Sequence, residues 1–191
     1  MPVKLIVIGG SAGSLQVILN FLAALPADFP LPVLIVLHRN GVFESNLEDL
    51  FSSRTRLTVK EVEEKELIVA GTIYVCPADY HVLLEKDHSF SLDFSERVHF
   101  SRPSIDVTFR SAADSFGEGL VALLLSGGNA DGVEGLQYIK ARGGVAVVQD
   151  PATAEVPYMP QQAVTRGEID FIVPAIEIPA FLQGLARLPR S

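Results

Sequence analysis

At 191 residues the chain is long enough for one globular domain with a real core. Apolar residues make up 48% of it, which excludes disorder, and a formal net charge of −8 argues against nucleic acid, whose phosphates need clustered Lys and Arg. No apolar run reaches the length of a membrane span, Met1-Pro2-Val3-Lys4 does not open a signal peptide, and Cys76 alone makes neither a disulfide framework nor a metal or redox pair. No membrane insertion and a cytoplasmic home are the expectations.

Val3–Ile8 reads as a buried strand and Leu15–Leu25 as a helix closed by Pro26. Pro32–Leu37 is a second continuous apolar strand. Phe43–Ser53 has helical spacing, with Phe43, Leu47 and Leu50 on one face. Continuous apolar strands separated by helices predict a parallel sheet covered on both sides. The middle differs. Leu57–Val62, Leu67–Val69, Thr72–Cys76, His81–Glu85 and Ser89–Phe94 are short and polar-interleaved, with turn signals at Ala70-Gly71 and Lys86-Asp87-His88. They read as a local antiparallel insertion or a sheet edge.

The α/β rhythm then returns. Ser104–Phe116 reads as a helix with Ser104 as its N-cap. Leu120–Leu125 is a buried strand, followed by the loop Ser126–Gly132 and a helix to Arg142. Val145–Val148, the helix Met159–Arg166, Phe171–Val173 and the helix Ile176–Leu188 complete the pattern. With no repeat or linker, residues 1–191 read as a single domain.

Ligands of open α/β sheets bind outside the carboxyl ends of the strands. The first strand delivers Gly9-Gly10-Ser11-Ala12-Gly13 there, the second His38, the next Ser126–Gly132 with Asp131, and another Gln149-Asp150. Ser11 has three readings: a phosphate cradle, a nucleophile, or a helix N-cap without chemistry. The cradle fails on detail. From Gly9, a G-x-G-x-x-G fingerprint meets Ser11 and Ser14 at its glycine positions, and no acid follows the second strand to hold a ribose. No G-K-[ST] is present either.

Ser11, His38 and Asp131 together have the chemistry of a nucleophile, a base and an orienting acid. A serine hydroxyl is a poor nucleophile until an imidazole removes its proton, and a carboxylate fixes the imidazole's tautomer. Gly9-x-Ser11-x-Gly13 fits the G-x-S-x-G turn, and N–H groups of Gly127-Gly128-Asn129 are candidates for an oxyanion hole. Taken singly, Ser11 is equally an N-cap, His38 a satisfied polar residue and Asp131 a turn residue. His81, His88 and His99 have no metal-ligand spacing, so neither a metal nor a cofactor is expected. Cys76 reads as a buried hydrophobe, and Asp79, Asp106 and Asp150 as structural.

An ordered series of segments runs through nearly the whole chain: "VIGGSAGS", "VLIVLHRN", "GTIYVCPADYHVLL", "SRPSIDVTFRSAA", "LLLSGGNADGVEGL" and "VVQDPATAEVPYMPQQAV". In these it resembles the catalytic domain of the CheB-type chemotaxis protein-glutamate methylesterases. The resemblance implies a doubly wound, mostly parallel α/β sheet with an antiparallel portion. It implies hydrolysis of methyl esters on glutamates of chemoreceptor cytoplasmic helices, often with deamidation of glutamines. By position, Ser11 is then the nucleophile, His38 the general base, Asp131 the orienting acid, and the Gly128 N–H an oxyanion donor.

The chain departs from the family pattern at several points. The family commonly reads G-M-G at Gly127-Gly128-Asn129, glycine at Ser14, histidine at Ser101, and Gln-His-Met at Leu37-His38-Arg39. A weakly active binding or scaffold module of the same fold, or an esterase for another small ester, are the competing readings. Family members usually carry an N-terminal phospho-receiver domain. Here the first strand begins at Val3, so the expectation is constitutive activity or control by a separate receiver protein.

Overall fold

The computed structural model describes residues 2–38 and 46–186. Its strands are β1 (Leu5–Gly10), β2 (Val33–Leu37), β3 (Thr58–Glu61), β4 (Thr72–Val75), β5 (His81–Leu84), β6 (Phe90–Asp93), β7 (Leu120–Leu124), β8 (Val145–Gln149) and β9 (Phe171–Val173). Its α-helices are α1 (Leu15–Ala24), α2 (Leu47–Ser52), α3 (Ile105–Phe116), α4 (Val133–Ala141), α5 (Tyr158–Arg166) and α6 (Ile178–Leu185). Seven strands form one sheet in the order β3-β4-β2-β1-β7-β8-β9, with every pairing parallel. β5 and β6 form a separate antiparallel pair.

The central strands read as unbroken apolar runs because both of their faces are covered. Ile6 and Ile8 of β1 face one core, with Ile18 and Leu22 of α1, Phe51 of α2 and Leu182 of α6. Leu5 and Val7 face the other, with Phe109 of α3, Leu136 of α4, Met159 of α5 and the β5–β6 hairpin. Helix layers on both faces make the sheet doubly wound, as expected.

The middle segment divides between the two expected readings, a sheet edge and an antiparallel insertion. Thr58–Glu61 and Thr72–Val75 are parallel members of the main sheet at its edge, and only β5–β6 is antiparallel. β3 alternates polar and apolar because, as an edge strand, it buries Val59 while exposing Thr58. The expected strand Leu67–Val69 is irregular, with Leu67 making one isolated bridge to Ser89. Of the helix expected over Phe43–Ser53, residues 43–45 lie outside the described residues, as do Arg187 and Leu188 of the last helix.

β1 also runs two residues beyond its apolar stretch, through Gly9 and Gly10. A Cβ on Gly9 would stand 2.5 Å from Ile105 Cγ2, so the missing side chain is what lets the start of α3 approach the sheet. From β1 the chain turns to β2 on one side, and β7 leads to β8 on the other. The direction of winding reverses between β1 and β7, which is where an open α/β sheet leaves a crevice.

Candidate active site

The crevice is built from the carboxyl ends of β1, β2 and β7. Gly10 pairs with Leu37, and the ladder continues as His38 N–H donates to Gly10 O (3.2 Å) and Ser11 N–H to Ser126 O (2.9 Å). Ser11 and His38 therefore leave adjacent strands at the same level, and neighbouring strands lie only about 4.8 Å apart. Ser11 is half-buried, and its Oγ has no hydrogen-bond partner among the described residues.

The N-cap reading of Ser11 does not hold, because Ser14 occupies the N-cap position of α1. Ser14 Oγ–H instead donates to Ser11 O at 2.6 Å, bracing the turn from inside. Gly13 closes the turn at φ +78°, where an added Cβ would lie 2.7 Å from both Glu155 Cβ and Ser126 Oγ. Ser126 joins three segments: its Oγ–H donates to Ala12 O (2.7 Å), its Oγ accepts Val156 N–H (2.9 Å), and its own N–H donates to Gln149 Oε1 (3.0 Å). Ser126 and Gln149 are both fully buried, so these bonds set the serine turn against β7 and β8.

His38 and Asp131 meet directly, with Nε2 2.6 Å from Oδ2. Asp131 is wholly buried and accepts four donors. Oδ2 takes His38 and the Ile105 N–H (2.7 Å); Oδ1 takes Ser104 Oγ–H and the Asp106 N–H, both at 2.9 Å. The last three donors are the first turn of α3, whose unpaired N–H groups and dipole favour an anion. Ser104 is the N-cap of α3, as its sequence position predicts. Burial opposes ionisation of Asp131, but the His38 hydrogen bond and the Asp106 and Ile105 N–H groups outweigh it, and its carboxyl lies below the usual range.

The loop after β7 lies against the serine. A Cβ on Gly127 would fall 3.1 Å from Ser11 Cβ and 2.4 Å from Met159 Cε. The Gly127 N–H is already committed to Val156 O (3.1 Å). The N–H groups of Gly128 and Ala12 have no acceptor among the described residues, and both residues are exposed. Gly128 does not adopt a left-handed backbone, and a Cβ there would meet nothing nearer than Val156 Cγ1 at 4.0 Å. A methionine in the family pattern and a glycine here are thus compatible with one backbone course.

Two residues given no part in the site from sequence, Asp106 and His99, lie beside Asp131. Asp106 is buried; its Oδ1 accepts the Gly135 N–H at 2.6 Å, and its Oδ2 lies 3.3 Å from His99 Nε2, close enough for charge attraction but outside hydrogen-bond geometry. Burial, then the charge of Asp131, pushes Asp106 up from 3.8 to about 6. His99, Asp106 and Asp131 bring three ligand-type atoms within 4.8 Å of one another. Asp131 has both oxygens doubly occupied, so a cation would have to displace the N–H groups that hold it.

The remaining residues singled out from sequence have structural roles. His81 is buried and bridges two segments, accepting the Ser104 N–H at Nδ1 (3.1 Å) and donating from Nε2 to Glu96 O (2.9 Å). His88 stacks on Phe116, and Cys76 sits in the core. Asp150 accepts the Ala152 N–H, and Asp79 faces Arg97 at 3.7 Å.

Residues 6–182 match the family model for CheB methylesterase. The chain belongs to the CheB methylesterase family. A Leptospira interrogans relative, named provisionally as a protein-glutamate methylesterase/protein-glutamine glutaminase, is 42% identical over 91% of this chain and 90% of its own length. A Thermotoga maritima protein-glutamate methylesterase/protein-glutamine glutaminase is 33% identical over 92% of this chain and 52% of its own. A Myxococcus xanthus protein-glutamate methylesterase is 33% identical over 95% of this chain and 54% of its own. The chain thus spans nearly all of the first relative and about half of the other two. The crystal structure of the T. maritima CheB methylesterase catalytic domain superposes with a TM-score of 0.90 at 32% identity, over 97% of this chain and 100% of that one. The all-parallel sheet with its antiparallel hairpin is therefore the CheB catalytic fold. Among the described residues, no helix is long and apolar enough to cross a membrane.

Proposed function

We propose that residues 1–191 form a CheB-type catalytic domain that hydrolyses glutamyl methyl esters on the cytoplasmic helices of chemoreceptors, with Ser11, His38 and Asp131 as its triad. The observation that carries this reading is the buried Asp131 carboxylate, held by the first turn of α3 and bonded to His38 beside Ser11.

The carboxylate takes a proton from no one; it fixes His38 with the proton on Nε2. That leaves the lone pair on Nδ1 as the base. Ser11 Oγ attacks the ester carbonyl carbon while Nδ1 accepts its proton. The oxyanion forms beside the unclaimed N–H groups of Gly128 and Ala12. The tetrahedral adduct collapses, the imidazolium returns its proton to the departing methoxide, and methanol leaves a Ser11 acyl-enzyme. Water, deprotonated by His38, then releases the glutamate and restores Ser11. With a glutamine side chain the same steps expel ammonia.

A Ser11 without a bonded partner is not at odds with this role, since catalytic hydrogen bonds often tighten only with substrate in place. The competing reading of a weak scaffold module rests on the altered Gly128-Asn129 loop. The free Gly128 N–H and its ordinary backbone favour turnover instead. The assay is methanol release from methylated receptor membranes by this chain, with Ser11→Ala as the control. Release that survives the substitution, or no release beside normal hydrolysis of p-nitrophenyl acetate, would overturn the proposal. The same assay with a purified receiver protein added tests control by a separate partner. Receptor helices of this class face the cytoplasm, and the chain is placed there with them.

A further inference from the structure

The segment between β6 and α3 ends in a tight hairpin, where Val98 and Ser101 exchange both backbone hydrogen bonds, at 3.1 and 2.9 Å. The two central residues are His99 and Phe100, at φ 49° and 63°. Such a turn normally takes Asn-Gly, because a left-handed backbone is costly for a bulky side chain. Phe100 bears that cost while 95% exposed, so its ring returns nothing to the fold. A strained, solvent-facing aromatic is the kind of feature a fold retains for contact with something else.

Phe100 does not stand alone. Phe94 is 64% exposed, its ring 5.6 Å from that of Tyr80, and the Arg102 guanidinium lies 3.9 Å above it. Arg97 is paired with Asp79 at 3.7 Å, whereas Arg102, whose Nη1 donates to Phe94 O and Ser95 O, has no carboxylate within ion-pair distance among the described residues. The hairpin also belongs to the catalytic edge of the sheet. It leads directly into α3, whose first turn holds Asp131, and His99 reaches Asp106 at 3.3 Å.

We infer that the His99-Phe100 hairpin, with Phe94 and Arg102 behind it, is the surface on which a glutamate-rich helix of the protein substrate docks beside the catalytic crevice. The inference rests on the functional reading above. Aromatic and arginine side chains dominate the energetics of protein contacts, and Arg102, the arginine here without a carboxylate partner among the described residues, complements a helix whose demethylated positions are carboxylates. A small ester needs only the crevice. A protein-borne ester must bring its helix across this rim.

The test uses Phe100→Gly, which relieves the turn, and Phe100→Asn, which tolerates the left-handed backbone with a small polar side chain. Each is compared with wild type on a methylated soluble receptor fragment and on p-nitrophenyl acetate. For both variants the receptor KM should rise tenfold or more with kcat at saturation unchanged, while kcat/KM on the small ester stays within twofold. Phe100→Gly should also raise Tm by about 2–4 °C. An unchanged receptor KM overturns the inference. So does a parallel loss on both substrates, which would mean that the hairpin acts on the triad through His99 and Asp106. Loss of co-sedimentation with phosphatidylglycerol vesicles, at unchanged receptor KM, would assign the patch to lipid and also overturn it. A wild type that turns over the small ester but releases no methanol from the fragment overturns the functional reading, and the docking inference with it.

Discussion

Asp131→Asn separates chemistry from architecture most sharply. Asp131 receives two donors on each oxygen, and asparagine offers one oxygen and one NH₂. If the NH₂ takes the Oδ2 position, it meets the Ile105 N–H and His38 Nε2. The histidine must then accept at Nε2 and carry its proton on Nδ1, where it cannot deprotonate Ser11. If the amide flips, the NH₂ meets Ser104 Oγ, which can accept, and the Asp106 N–H, which cannot. Either way one buried N–H loses its partner, costing about 1–3 kcal/mol of stability. A domain of ordinary stability, about 5–15 kcal/mol, stays folded after that loss. Activity should fall much further, because both orientations remove the charge that steadies the imidazolium. The precedent for this change in a Ser-His-Asp triad is about 10⁴-fold in kcat. Urea unfolding and methanol release on the same preparation read the two effects. A stability loss of the stated size with activity down less than tenfold would refute the triad role and leave Asp131 as a cap for α3.

Ser11→Ala should leave urea unfolding unchanged within about 0.5 kcal/mol, as for a site free of special contacts, while reducing methanol release by several orders of magnitude. Gly127→Ala should cost about 1–3 kcal/mol by overpacking against the buried Met159 and should disturb Ser11, whereas Gly128→Ala, facing open space, should leave thermal unfolding and turnover near wild type. Asp106 gives a pH signature. Its native carboxyl, at about 6, holds the proton more tightly than the unfolded chain does, so stability falls as pH rises from about 4 to 6 and the loss is complete above that. Asp106→Asn keeps an oxygen for the Gly135 N–H and removes this penalty. Its advantage over wild type in urea should grow across that window to as much as about 3 kcal/mol, and a pH-independent difference would contradict the assignment.

The sequence shows β1, β2 and β7 plainly because strands covered on both faces must be apolar throughout. It therefore also shows Ser11, His38 and Asp131, which stand just past their ends. β4 is buried along its whole length, yet four residues flanked by turn signals carry too little pattern to tell a sheet member from a hairpin arm. The support of Asp131 is hidden for another reason. Ser104 is legible as an N-cap, but the Ile105 and Asp106 N–H groups are backbone and carry no side-chain signal. Only the tertiary approach of α3, permitted by Gly9, brings them to the carboxylate. Gln149 is legible as a strand-end residue, while its bond to the Ser126 N–H depends on the β7–β8 register.

The first turn of a helix is ordinarily where amide protons exchange with solvent most readily, since their donors have no partner within the helix. In α3 that order is inverted at Ile105 and Asp106, whose amides are closed off by a buried anion. Those two protons should be among the slowest in the protein to exchange, opening only with the global fold. They are also built-in reporters on the triad carboxylate: any event that protonates, replaces or pulls on Asp131 has to register at the amides of residues 105 and 106, without a substrate or a turnover assay.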